Sequence, residues 1–221
     1  MAQSQRRKNS EKADNRNLIV PAIILVVGIA AIIAIALGGG SDGSTTSTTL
    51  PAQYHPVAVT GSTLAPLGDS GSDAAKGLVA PAIVGKTFSG GEIAVRPGSE
   101  SKPTLLVFLA HWCPHCNREV PRLVEMHDKG LMPDNLRIVG VITASRNDQA
   151  NWPPSKWIVD MKWPWEVMVD SELSEGANAY GVDGFPFMAV VDTNGKVVAR
   201  HSGEMEIAEV RSWLDTALSA S

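Results

Sequence analysis

Residues 104–116 read TLLVFLAHWCPHC, an apolar run that ends in two cysteines three positions apart. A run this continuous has no polar face, so as a strand it must be buried on both sides. Burying both faces of a sheet takes helices, and the chain supplies them. LRIVGVIT at 136–143 is a second strand of this kind, and EVMVD at 166–170 a shorter third. FMAVVD at 187–192, an Asn194-Gly195 turn and VVARH read as a hairpin, as does Phe88–Ile93 with its glycine turn. One helix is expected from the cysteines to about Lys129, stopped by Gly130. A second is expected after a cap at Asn151, with Pro153 and Pro154 in its first turn and Trp157, Ile158 and Met161 inward. A short helix at 171–180 and an amphipathic one at about 206–219, with Ile207, Val210, Leu214 and Leu218 inward, complete the set. Alternating strands and helices of this kind predict an α/β domain over 81–221, a mixed central sheet flanked by helices.

Cys113 and Cys116 are the only cysteines in the chain. A disulfide between them closes so small a loop that it restrains little of the unfolded chain, so the pair reads as chemistry and not as a staple. A helix N-terminus presents unpaired N–H groups and the positive end of the dipole. Cys113, placed there, is favoured as the thiolate, the form that attacks. Cys116, one turn on, can attack the mixed disulfide that Cys113 forms. The expectation is an exposed nucleophile at Cys113 and a buried partner at Cys116. A structural zinc site needs about four ligands, and there is no second cysteine pair. From Pro81 onward acids outnumber bases 18 to 13, which argues against a nucleic-acid surface.

The N-terminal part reads differently. Residues 18–37, LIVPAIILVVGIAAIIAIAL, carry no charge and span about 30 Å as a helix, the thickness of a bilayer core. Arg6, Arg7, Lys8, Lys12 and Arg16 crowd the preceding tail, residues 1–17, so that side is expected in the cytoplasm and the rest outside the cell membrane. The competing reading is a cleaved signal peptide, whose apolar region is usually shorter, about 7–15 residues. Residues 38–80, rich in Gly, Ser and Thr, read as a flexible linker.

Trp112-Cys113-Pro114-His115-Cys116 between a buried strand and a helix, Pro121 within that helix, and Gly184-Phe185-Pro186 ahead of FMAVVD together resemble the thioredoxin-like superfamily. The stretch from Tyr180-Gly181-Val182 to Val191-Asp192-Thr193-Asn194-Gly195 is similar to its membrane-anchored TlpA/ResA branch. The resemblance covers about 81–221. It implies the thioredoxin fold, with a cis bond before Pro186 facing the cysteines, Phe185 offering its backbone to a substrate peptide, and Trp112 flanking the groove. Glu119 matches an acid that the ResA-type branch uses in proton transfer. The buried acid of thioredoxin itself would fall at Val107, which is aliphatic. The Pro-His pair between the cysteines is that of the oxidising DsbA-type proteins, whereas TlpA/ResA-type reductases more often carry other pairs. A cationic His115 would favour the Cys113 thiolate and make the disulfide a stronger oxidant, so branch and dipeptide imply opposite directions.

The resemblance thus implies an extracytoplasmic, membrane-tethered thiol–disulfide oxidoreductase acting on protein cysteines, with no cofactor and no metal. Its site would comprise Cys113, Cys116, His115, Glu119 and Pro186, with Trp112 and Phe185 at the substrate. Its redox partner would be a transmembrane dithiol carrier or a quinone-linked oxidase. The alternative on the same fold is a copper-binding module, whose thiols have three intervening residues where this chain has two. His111, His127 and His201 read as surface or packing residues. Trp152, Trp157, Trp163 and Trp165 read as packing a helix and a loop against the sheet.

Overall fold

The computed structural model describes residues 50–68 and 72–219. Its strands are β1 (Ala58–Thr60), β2 (Ala82–Lys86), β3 (Glu92–Val95), β4 (Thr104–Leu109), β5 (Arg137–Ile142), β6 (Glu166–Val169), β7 (Phe187–Val191) and β8 (Val197–Ser202). Its helices are α1 (Pro114–Asp128), α2 (Pro154–Asp160), α3 (Glu175–Ala179) and α4 (Ile207–Ser219). The sheet runs β1-β2-β6-β5-β4-β7-β8, with β3 also paired to β2. β4, β5 and β6 are parallel, while β7 and β8 run antiparallel to their neighbours.

All six residues of β4 are buried, as its unbroken apolar sequence requires. Side chains alternate along a strand. Leu105, Val107 and Leu109 therefore join α1 and α4 in one core, with Leu123, Met126, Val210 and Leu214. Leu106 and Phe108 enter the opposite core with Ile83, Tyr180 and Phe187. Each fully buried side chain of this size contributes about 1.5–3 kcal/mol.

Several boundaries differ from the sequence-based expectation. Asn151 does not cap α2; its backbone is left-handed, at φ 62°, and Pro153 occupies the N-cap. The helix expected at 171–180 shrinks to Glu175–Ala179. There the Asp170 carboxylate accepts the Ser171, Gly176 and Ala177 N–H groups and holds the preceding residues in a turn. On α4 the buried residues are Val210, Leu214 and Ala217; Ile207 and Leu218 are half-buried.

Within the linker expected over 38–80, the described residues 50–68 and 72–80 pack onto the domain. β1 pairs antiparallel with β2, and Val57, Leu64, Ala75 and Ala80 are buried. Arg200 in β8 donates to Ala65 O at 2.8 Å and to Tyr180 O at 2.9 Å, and pairs with Asp73. Gly181 sits at φ 66°, and a side chain there would run into the Ala65 backbone, so only glycine lets these segments meet. Leu50–Ser221 forms one compact unit. Residues 1–17, 18–37 and 38–49 lie outside the described residues; among those described, no helix is long and apolar enough to cross a membrane. Val57→Ala removes two buried methyl groups beside Gly85 and Met168, and will lower the unfolding free energy by about 1.5 kcal/mol in a urea titration. An unchanged midpoint would mean that this segment is a detached linker after all.

Candidate active site

Strand register brings three distant segments to one end of the sheet. β4 lies antiparallel to β7 with Phe108 opposite Phe187, so the exit of β4 toward Cys113 passes the residues just ahead of β7. β8 lies antiparallel to β7 with Ser202 opposite Phe187, so its exit, residues 203–206, arrives at the same end. Gly203 N–H donates to Pro186 O at 2.8 Å and ties the last two segments together.

Cys113 is the N-cap of α1, with extended backbone at φ −72° and ψ 122°. Its sulfur accepts the Cys116 N–H at 3.5 Å, one of the donors a helix start leaves unpaired. Both cysteines are free thiols. The Cys113 thiol donates to Phe185 O at 3.5 Å, across the cis Phe185–Pro186 bond that the resemblance implied. Cys113 is less open than expected: it is 5% exposed, walled by Trp112 and Phe185, whose rings meet edge to face at 6.2 Å. Trp112 is fixed by its indole N–H, which donates to Ala144 O at 2.8 Å. Cys116 is fully buried, and burial pushes its thiol far up; a hydrogen bond with the Ala110 backbone opposes this, while Cys113, and least of all the charge of Glu119, add to it.

Glu119 lies one turn past Cys116 and is fully buried. Burial raises its carboxyl to about 7, against the Met205 N–H and the Arg122 charge, which lower it. Met205 N–H donates to Oε2 at 3.0 Å, and Oε1 has no partner. The buried carboxyl and the Cys116 thiol are close enough for their charges to interact. Val107 is buried in β4 and aliphatic, so β4 places no acid at that position.

His115 does not lean on the thiols. Its ring is largely exposed, with Nδ1 at 2.9 Å from Glu204 Oε1 and 2.8 Å from Arg118 Nη2. Sequence reasoning missed Glu204. Arg118 grips it through two hydrogen bonds, of 2.8 and 2.7 Å, and Arg122 through one of 3.1 Å. These donors, Arg118 foremost and His115 next, hold the Glu204 carboxyl down at about 2.

Asn117 and His111 were also missed as part of this architecture. Asn117 Nδ2 donates to Cys113 O at 2.8 Å and His111 O at 3.1 Å, and its Oδ1 accepts the Trp157 indole N–H at 2.9 Å. His111 is fully buried and neutral, since burial lowers it: Nδ1–H donates to Ala150 O at 2.7 Å, and Nε2 accepts the Arg146 N–H at 3.1 Å. An Asn directly after the second cysteine and a His before the Trp were the only sequence signals.

Trp163 and Trp165 stack edge to face at 4.8 Å. With Phe88, Pro153, Ile158 and Val159 they line a groove of about 710 Å³ that includes none of the residues around the cysteines. Among the described residues, no three His, Cys, Asp or Glu are grouped to hold a metal ion.

Comparisons with known proteins bear on the family and the fold. Residues 76–218 match the model of the Redoxin family. The chain is 29% identical over 106 residues to the thiol:disulfide interchange protein DsbE of Pasteurella multocida, covering 48% of this chain and 54% of that one. It is 28% identical over 142 residues to the thioredoxin-like protein YneN of Bacillus subtilis, covering 63% and 79%. A crystal structure of a Chlorobium tepidum protein ascribed to DsbE superposes with a TM-score of 0.51 at 22% identity, covering 66% of this chain and 96% of that one. The fold is thioredoxin-like. The chain spans about half the length of the DsbE relatives it matches.

Proposed function

We propose that this chain, which belongs to the Redoxin family, is a membrane-tethered, extracytoplasmic oxidoreductase that exchanges disulfides with protein cysteines through Cys113 and Cys116. The observation that carries the reading is Cys113 at a helix N-terminus, facing the Phe185 carbonyl, with Cys116 and the Glu119 carboxyl buried behind it. Cys113 attacks one sulfur of a substrate disulfide and releases the other as a thiolate. Cys116 then gives its proton to Glu119 and attacks the Cys113 sulfur. The substrate leaves with both its sulfurs reduced, and the chain keeps a Cys113–Cys116 disulfide. In the opposite direction each step reverses. Phe185 offers an extended peptide its backbone beside the reacting sulfur. Turnover requires a second partner that returns or removes two electrons: a transmembrane dithiol carrier for reduction, a quinone-linked oxidase for oxidation. The uncharged run at 18–37 behind a basic tail supports the tether and its orientation.

A membrane-impermeant maleimide added to intact cells after brief reduction will label the chain, and prior exposure to a peptide disulfide will block the label. Labelling only after lysis would place the domain inside the cell. Labelling that no disulfide blocks would remove the exchange chemistry.

A further inference from the structure

Glu204 gathers the cations of the active-site helix. His115, Arg118 and Arg122 sit on one face of α1, and all three reach its carboxylate from across the β8–α4 loop. The same loop supplies Gly203, bonded to Pro186, and Met205, bonded to Glu119. Arg118 is near enough to Cys113 for their charges to interact. Besides Glu204, the carboxylates that meet these cations are Glu119, 3.8 Å from Arg122, and Glu206, which also pairs with Arg122; Glu125 and Asp128 lie further along α1, where Glu125 pairs with Lys129.

The His115 contact has a chemical consequence. Guanidinium nitrogens only donate and carboxylate oxygens only accept. With a proton on Nδ1, His115 can serve Glu204; without one, it can serve Arg118. Either way the imidazole Nδ1 is committed to this cluster.

We propose that Glu204 is a positioning residue whose charge holds the Cys113–Cys116 couple at a less oxidising potential than the same site would have without it. Reduction of the disulfide takes two electrons and two protons to give two thiols. Cations near Cys113 attract negative charge on its sulfur, so they stabilise the reduced form and strengthen the disulfide as an oxidant. An anion that neutralises those cations, and itself repels a thiolate, acts the other way. The inference rests on the proposed exchange chemistry and assigns that site its poise.

The test is equilibration of the purified full-length chain with glutathione buffers. Glu204→Gln keeps the shape and loses the charge; it will shift the equilibrium toward the dithiol by about threefold, or ~14 mV on the two-electron scale. Arg118→Met will shift it in the opposite sense, and high salt will shrink both effects. A purely structural role would not give opposite signs. If the wild-type chain forms a reversible disulfide but Glu204→Gln leaves its potential unchanged, or moves it the same way as Arg118→Met, the role of Glu204 is overturned. If the wild-type chain forms no reversible disulfide, the exchange reading itself fails.

Discussion

A chain carrying Cys116→Ser will accumulate mixed disulfides with its substrate proteins, and one carrying Cys113→Ser will not. The asymmetry comes from position. Cys113 caps α1, borders the Phe185 carbonyl and keeps a sliver of exposure, whereas Cys116 has none and burial holds it protonated. The outer sulfur can meet a substrate disulfide; the inner one can only reach a sulfur already bonded to Cys113. Without Cys116 the first step proceeds and the second cannot, so the complex persists on non-reducing gels. Without Cys113 the exchange rate will fall on the order of 10³-fold or more, the scale on which losing a nucleophile registers. Trapping by Cys113→Ser alone would invert the two roles.

Glu119→Gln will have two separate effects. The first is on stability. In the folded chain the carboxyl sits at about 7, against the usual 4.5, chiefly because it is buried. Between those values the folded state keeps a proton that the unfolded state has lost. Stability from this group is therefore full below about pH 4.5, falls as pH rises to about 7, and stays low above it. The full difference, from 4.5 to about 7, is about 3–4 kcal/mol at one pKa unit per ~1.4 kcal/mol. Glutamine titrates nowhere in that window and can still accept the Met205 N–H. The variant will therefore be the more stable protein above pH 7 and will lose that advantage in acid. Urea titrations across this range check it, and curves that stay parallel would mean that Glu119 is solvated in solution. The second effect is kinetic. Without a base beside Cys116, resolution of the mixed disulfide will slow by about 10²-fold near neutral pH. A mixed disulfide that clears from the variant at the wild-type rate would show that Cys116 loses its proton elsewhere. A residue that stabilises the fold when replaced, yet slows the chemistry, is the pattern expected of a buried functional acid.

The features that the sequence determined by itself are those encoded within a few positions. The unbroken apolar run of β4, the thiol pair one helical turn apart, the Asn194-Gly195 turn and the proline after Phe185 each state their local geometry through steric and hydrogen-bonding rules that act between near neighbours. The fold class and the sulfur-bearing helix follow from them. What the tertiary structure decided lies between residues far apart in the chain. Glu119 and Met205 are 86 positions apart, His115 and Glu204 89, and Arg200 and Asp73 127. Nothing in the Gly203-Glu204-Met205-Glu206 run marks it as part of an active site. It becomes one because β8 runs antiparallel to β7 and empties its loop onto α1. The segment from Leu50 reads as linker because it is poor in large apolar residues, yet β2 offers it an unpaired edge and Arg200 a fixed cation. Asn151 reads as a helix cap by composition, but the buried His111 carbonyl takes its side chain instead. Local patterns choose the elements; which charge meets which sulfur depends on sheet register, and register is set by burial across the whole domain.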